Sequence, residues 1–243
     1  MAPADLSLDT LDIASPEHYE RNGYPYPEWA YLRAHAPVFW YERDNVDPFW
    51  AITKHADIVE ISKQPEIFLN APRLAVFTKD LPPPPENEVR HILNMDPPDH
   101  AAYRKVTSQR FTPRSVQFWE EKVERITREI LDESADQHEI DFVRDVSAKI
   151  TIAVIAEMLG VPRSDWELMF RWTNEIIAPQ DPEFKGDKSV FDTINQARID
   201  VFQYFEHMVE ERRSQPTDDI VSTVANGSVR GEPLPLALSL IHI

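Results

Sequence analysis

Along most of the chain, apolar residues recur at steps of three and four, the spacing of helices that turn one face to a core. The clearest stripe is Val116, Trp119, Val123, Ile126 and Ile130. Thr112 stands before it as a cap, with Pro113 at the first helical position, where a missing N–H costs nothing. On the polar side, Glu121 with Arg125 and Glu124 with Arg128 lie one turn apart and predict ion pairs. A second helix is predicted over Asp141–Leu159; its latter half is apolar nearly all round, which predicts burial, and Gly160 and Pro162 end it. Ser164 and Glu167 have capping-box spacing for a third helix that stops before Pro179. A fourth runs from about Lys188 to Arg213, with Val190, Ile194, Ala197, Val201, Phe205 and Met208 inward.

The amino-terminal part follows another rhythm. A short helix is predicted over Glu28–Ala36, between Pro27 and Pro37. VFWYER and FWAIT, rich in aromatic and β-branched residues and separated by DNVDP, predict an antiparallel hairpin over Val38–Thr53, with a helix near His55–Ser62 after it. No period holds from Asn70 to Arg90, a stretch that includes Pro82 to Pro85 and reads as a long loop. The fold class is therefore mainly α with a small antiparallel β hairpin near the start.

Composition narrows the function. The 243 residues, 42% of them hydrophobic, can fill a core, but five glycines offer no Gly-rich phosphate cradle. Forty-two acidic against 25 basic residues, a net charge of −17, disfavour nucleic acid and anionic membranes as partners. The longest strongly apolar stretch, Ile150–Leu159, is interrupted by Glu157 and is too short to span a bilayer. No secretory signal is visible in MAPADLSLDT and there is no Cys, which fits a cytoplasmic protein. His138 and Glu139 lack the second His of a zinc-protease motif, and no nucleophile elbow is present. Trp119, Trp166, Trp172, Phe202 and Phe205 read as packing residues.

One segment departs from the acidic background. Between His100 and Arg114 stand Arg104, Lys105, Arg110 and Arg114 with no acid. Asp96 can cap a helix that begins at Pro97 and runs to about Arg110, with Asp99 adding favourable charge to its first turn. His100 and Arg104, four apart, then share a face. A planar guanidinium beside an imidazole suits a ligand bearing two carboxylates, although spacing alone also fits an exposed, solvated helix face.

The run MDPPDHAAYRKVTSQRFTPR resembles the third-helix motif of bacterial cytochromes P450, D-P-P-x-H-x-x-x-R-x-x-x-x-x-x-F-T. FWAITKHADIVEISKQPEIF upstream and DDIVS at Asp218–Ser222 are similar to that family as well, so the resemblance spans roughly Tyr24–Pro235. It implies the amino-terminal part of the cytochrome P450 fold, a heme cofactor whose propionates His100 and Arg104 would hold, and insertion of one oxygen atom into a small apolar substrate. It also implies a ferredoxin or flavoprotein electron donor, docking near Lys105, Arg110 and Arg114, with the Asn70–Arg90 loop closing over substrate. The family would continue into a helix with an A/G-G-x-D/E-T motif, then E-x-x-R, then a loop whose Cys ligates iron. None of these is in the sequence, which ends LALSLIHI. The expectation is one incomplete domain over residues 1–243, with 236–243 a non-native tail and no catalytic residue or metal ligand in this chain. A non-catalytic helical module for an apolar or anionic ligand is the rival reading.

Overall fold

The computed structural model describes residues 6–44, 46–71 and 91–236. The predicted loop, from residue 72 to 90, and the tail from 237 lie outside them. The chain divides into two compact units, one formed by residues 1–88 with 93–97 and the other by 89–92 with 98–243.

The first unit contains helices α1 (Pro16–Asn22) and α2 (Tyr26–His35), strands β1 (Val38–Arg43) and β2 (Val46–Ile52), and helix α3 (His55–Ser62). The strands pair antiparallel, Val38 opposite Ile52 and Trp40 opposite Trp50, as the hairpin pattern predicts. Helix α2 starts earlier than predicted: Pro27 lies inside its first turn, where no N–H is required of it. Sequence reading missed α1, whose signature is nonetheless present, Ser15 accepting from the His18 N–H ahead of Pro16. Leu11, Ile13, Leu32, Tyr41, Val46 and Ala51 form the core. Within it the Tyr41 hydroxyl donates to Asp12 Oδ1 at 3.1 Å, and burial raises the Tyr41 pKa.

In the second unit, α4 (Asp99–Thr107) leads through a 3-10 turn at Ser108–Phe111 into α5 (Pro113–Ser134). There follow α6 (Ala148–Leu159), α7 (Trp166–Ile177), α8 (Pro182–Lys185), α9 (Val190–Ser214) and α10 (Ile220–Ala225), and then a two-stranded ribbon of β3 (Ser228–Val229) and β4 (Glu232–Pro233). Thr112 caps α5 by accepting from the Ser115 N–H, as predicted. Ile126 and Ile130 are buried, but Val116, at the start of the same stripe, is 56% exposed. Glu124 pairs with Arg128; Arg125 turns away from Glu121 to Glu129 and Glu157 instead, because two carboxylates on its other side offer bonds of 2.9 and 2.6 Å.

The predicted Asp141–Leu159 helix opens with a π turn at Val143–Ser147 before α6 begins. It is not buried all round: Ala153, Ala156 and Leu159 are, while Ile155 is 46% exposed. The helix packs against α5, α7 and α10, and Thr151 and Ile155 are left exposed. Gly160 ends it at φ 80°, in the left-handed region. The capping box at α7 does not form, since a 3-10 turn at Arg163–Asp165 precedes the helix and the Ser164 hydroxyl is spent on Asp165. Of the predicted inner face of α9, Ala197, Phe205 and Met208 are buried, and Val201 packs against the same core. Trp172 and Phe205 are core residues as read, whereas Phe202 is 37% exposed.

The ends of α6, α9 and α10 meet at Asp219. Its carboxylate is the cap of α10, accepting from the Ser222 N–H at 2.6 Å, and also receives Arg212 Nε at 2.8 Å and the Thr217 hydroxyl at 2.5 Å. Arg212 donates further to the Gly160 carbonyl at 3.3 Å, and a Cβ on Gly160 would stand 2.6 Å from Asp219 Cγ. The side chains of Asp219 and Arg212 are 7% and 12% exposed, so the pair is close to fully desolvated.

Breaking such a pair from one side strands a buried charge. Asp219→Ala is therefore expected to lower unfolding stability by about 3 kcal/mol or more, read by urea denaturation. Glu157 gives the chain an acid sensitivity. Burial alone would raise its carboxyl pKa, but bonds from Arg125 and Lys122 outweigh that and hold it below the ordinary 4.5. A depressed pKa contributes stability that is complete above about 4.5 and is lost as pH falls through the folded value. Glu157→Gln is accordingly expected to flatten the loss of stability on acidification below that range, measured as the unfolding midpoint against pH.

Candidate functional site

His100 and Arg104 both lie on α4, four residues apart as predicted. The helix is shorter than the sequence suggests. It starts at Asp99 with Pro98 as cap residue and no side-chain cap bond. Asp96 does not cap it: its carboxylate instead accepts from the backbone N–H of Asn70 at 2.7 Å and of Ala71 at 3.1 Å. Two adjacent amides satisfy the carboxylate there, and in the structure Pro98 holds the cap position of the helix.

Tyr103 and Val106 pack on the core cluster that includes Phe205, Met208 and Val209, and Thr107 is buried. These fix the inward side of α4. At about 100° per residue, His100 and Arg104 project from the flank next to that side. His100 is partly buried, Arg104 exposed. Among the described residues, neither the His100 nor the Arg104 side chain has a hydrogen bond or ion pair; the Thr107 hydroxyl donates only to the Arg104 carbonyl, at 3.5 Å. The site thus offers an imidazole and a permanent cation that the rest of the described protein leaves available.

The neighbouring cations divide. Lys105 is exposed on another side of α4, and Arg114 is exposed in the first turn of α5. Arg110 lies outside the helix, in the 3-10 turn, and is committed internally: Nε donates to Thr223 Oγ1 at 2.9 Å, Nη2 to the Asp219 carbonyl at 3.4 Å, and Nη1 to Asp218. A four-cation patch is not what the structure presents. Sequence reading also missed the ion pair of Asp99 with Arg230, at 2.8 Å. No local pattern could have announced it, since the partners are 131 positions apart. A cavity of about 720 Å3 lies elsewhere, between α5, α6, α7 and α8, and includes none of the predicted site residues. No group of three or more potential metal ligands occurs among the described residues, and no helix there is long and apolar enough to cross a membrane.

No family profile matches the chain. It is 33% identical over 219 residues to a steroid C26-monooxygenase of Mycolicibacterium smegmatis, an alignment covering 86% of this chain and 50% of that one. A linalool 8-monooxygenase of Pseudomonas putida is 29% identical over 245 residues, covering 94% of this chain and 57% of the other. A Mycobacterium marinum cytochrome P450, solved in complex with pseudoionone, superposes over 98% of this chain and 59% of its own with a TM-score of 0.79 and 27% identity. The chain belongs to the cytochrome P450 family. It spans about half the length of the P450 relatives it matches. In P450 terms the described helices, with the small sheet near the start, are a mainly helical portion of that fold.

The division of the cations sets a stability test. His100→Ala and Arg104→Ala, which break no bond among the described residues, are expected to change unfolding stability by no more than about 0.5 kcal/mol. Arg110→Ala removes bonds to three groups and is expected to cost about 1–2 kcal/mol, both measured by chemical denaturation.

Proposed function

We propose that this chain is the heme-propionate-binding portion of a monooxygenase that inserts one atom of molecular oxygen into a small apolar organic substrate. The observation that carries it is the pairing of His100 and Arg104 on one flank of α4, unpartnered among the described residues and set in a run that matches the family's motif. The donor chemistry fits the group: a guanidinium fork and an imidazole suit the two carboxylates of heme. The fit ends at the iron, because the sequence contains no Cys and so supplies no thiolate. When bound and thiolate-ligated, heme supplies O–O bond cleavage. The residues here hold and orient the porphyrin edge and neutralise its negative charge.

Relatives named for a steroid and for linalool support an apolar substrate. Reduction by a ferredoxin or flavoprotein in the cytoplasm is the matching electron supply, and Lys105 and Arg114 are the exposed cations that could meet an acidic donor. A non-catalytic helical binding module for an apolar ligand would leave His100 and Arg104 without a defined role, and one for an anionic ligand would use them without heme.

The test is hemin titration followed by Soret absorbance. Replacing both His100 and Arg104 by Ala is expected to weaken hemin retention at least tenfold, the loss of roughly 1.4 kcal/mol or more of charge-assisted bonding. Reduced with carbon monoxide, this chain is expected to give no thiolate-type band, and a polypeptide extended through an iron-ligating Cys to give one. Unchanged hemin retention in the double variant would sink the reading and favour the binding module.

A further inference from the structure

We propose that residues 218–231, comprising α10 and the turn of the ribbon after it, are the positioning element of α4 and set where His100 and Arg104 present their polar ends. The functional consequence rests on the heme reading above; the geometry rests on contacts at three points along α4 and the turn after it.

At the start of the helix, Arg230 Nη2 bonds Asp99 Oδ1 at 2.8 Å, one residue before His100. Near its end, Gly227 lies so close to Val106 that a Cβ there would stand 2.6 Å from Val106 Cγ1 and 3.1 Å from the Thr223 carbonyl. Just beyond it, Arg110 is bonded to Thr223, to Asp218 and to the Asp219 carbonyl. Each contact comes from a different residue type, and all three partners stand on one short stretch of chain. Asp99 and Val106 are within about 20° of each other around the helix, whereas His100 and Arg104 lie roughly 100° to 160° from them, on the adjoining flank. The element therefore grips α4 from another side and leaves the propionate-facing flank clear.

Arg230 marks the grip as more than incidental packing. The ribbon turns through Arg230 and Gly231, at φ 55° and 89°. Two positive φ values are what a two-residue turn of this hand requires, and Asn or Gly fills them without strain. Arg is a poor choice for the turn itself; its reach to Asp99 is what it adds.

The experiment uses the 243-residue chain and four variants. Arg230→Asn keeps a residue that tolerates the left-handed turn but removes the cation. Arg230→Lys restores the charge, Thr223→Val removes one Arg110 bond, and Gly227→Ala forces Val106 to move. Amide hydrogen exchange over residues 100–107, hemin titration and thermal melting are read together. An exposed pair is worth at most about fivefold, so Arg230→Asn is expected to speed exchange in α4 and weaken hemin binding about threefold, with melting unchanged and Lys restoring both. Thr223→Val should act in the same direction, and Gly227→Ala more strongly, about tenfold. If Gly227→Ala does not fold, the other variants decide. Unaltered α4 exchange in Arg230→Asn and Thr223→Val overturns the positioning role. Unaltered hemin affinity in those variants, in a protein whose His100→Ala and Arg104→Ala forms do lose affinity, overturns its consequence for the site while leaving the heme reading intact. If the His100 and Arg104 forms lose nothing, it is the heme reading that fails, and exchange alone still decides whether α4 is held this way.

Discussion

The second unit is organised around one desolvated ion pair, Asp219 with Arg212. Two charges removed from water carry a desolvation cost that their attraction repays only when the remaining lone pairs and protons are also satisfied. Here they are. The Asp219 carboxylate receives a backbone amide, a hydroxyl and a guanidinium, and Arg212 also donates through Nη2 to the Gly160 carbonyl at the end of α6 and pairs through Nη1 with Glu211 at 3.1 Å. The glycine is part of the same solution, because a side chain at its left-handed position would collide with the carboxylate. An arrangement with so few acceptable geometries contributes to register more than to raw stability. It fixes how the ends of α6 and α9 meet the start of α10.

That register is passed on to α4. The Asp219 carbonyl accepts from Arg110 and from the Thr223 hydroxyl, so the residue that locks α10 to α9 also touches the turn that follows α4. Hydrophobic packing of Tyr103 and Val106 on the Phe205, Met208 and Val209 cluster decides which side of α4 faces inward. The polar contacts decide its rotation and its position along its own axis, which apolar packing leaves soft. His100 and Arg104 are directed by both, without being held by either.

The sequence makes regular structure legible where local chemistry and burial agree. Thr112 with Pro113, the aromatic and β-branched runs around the DNVDP turn within Val38–Thr53, and Gly160 each combine a backbone requirement with residues that meet it, and each element appears in the structure. The failures come where a polar side chain has two competing partners. Asp96 takes a pair of amides 25 and 26 positions away in place of a helix end. Ser164 bonds its neighbour and Arg125 prefers acids outside the predicted pair. In α6 the apolar pattern runs all round while burial does not, since hydrophobicity records what a face tolerates and only packing partners decide what is covered.

The same distinction governs the candidate site. Counting charge along His100–Arg114 finds four cations, which suggests one broad basic patch. In space they serve separate ends. Arg110 is neutralised by Asp218 and bound to α10, so it belongs to the scaffold; Lys105 and Arg114 face solvent from different elements. What remains beside His100 is Arg104 alone. In a chain of net charge −17, a cation whose side chain has no partner among the described residues is left able to meet an anionic ligand. The motif's helical spacing was visible from the start; the commitment of Arg110 to α10 was not. A second unpaired cation on that flank would suit any polyanion, whereas one guanidinium beside one imidazole fits the two-carboxylate ligand proposed above.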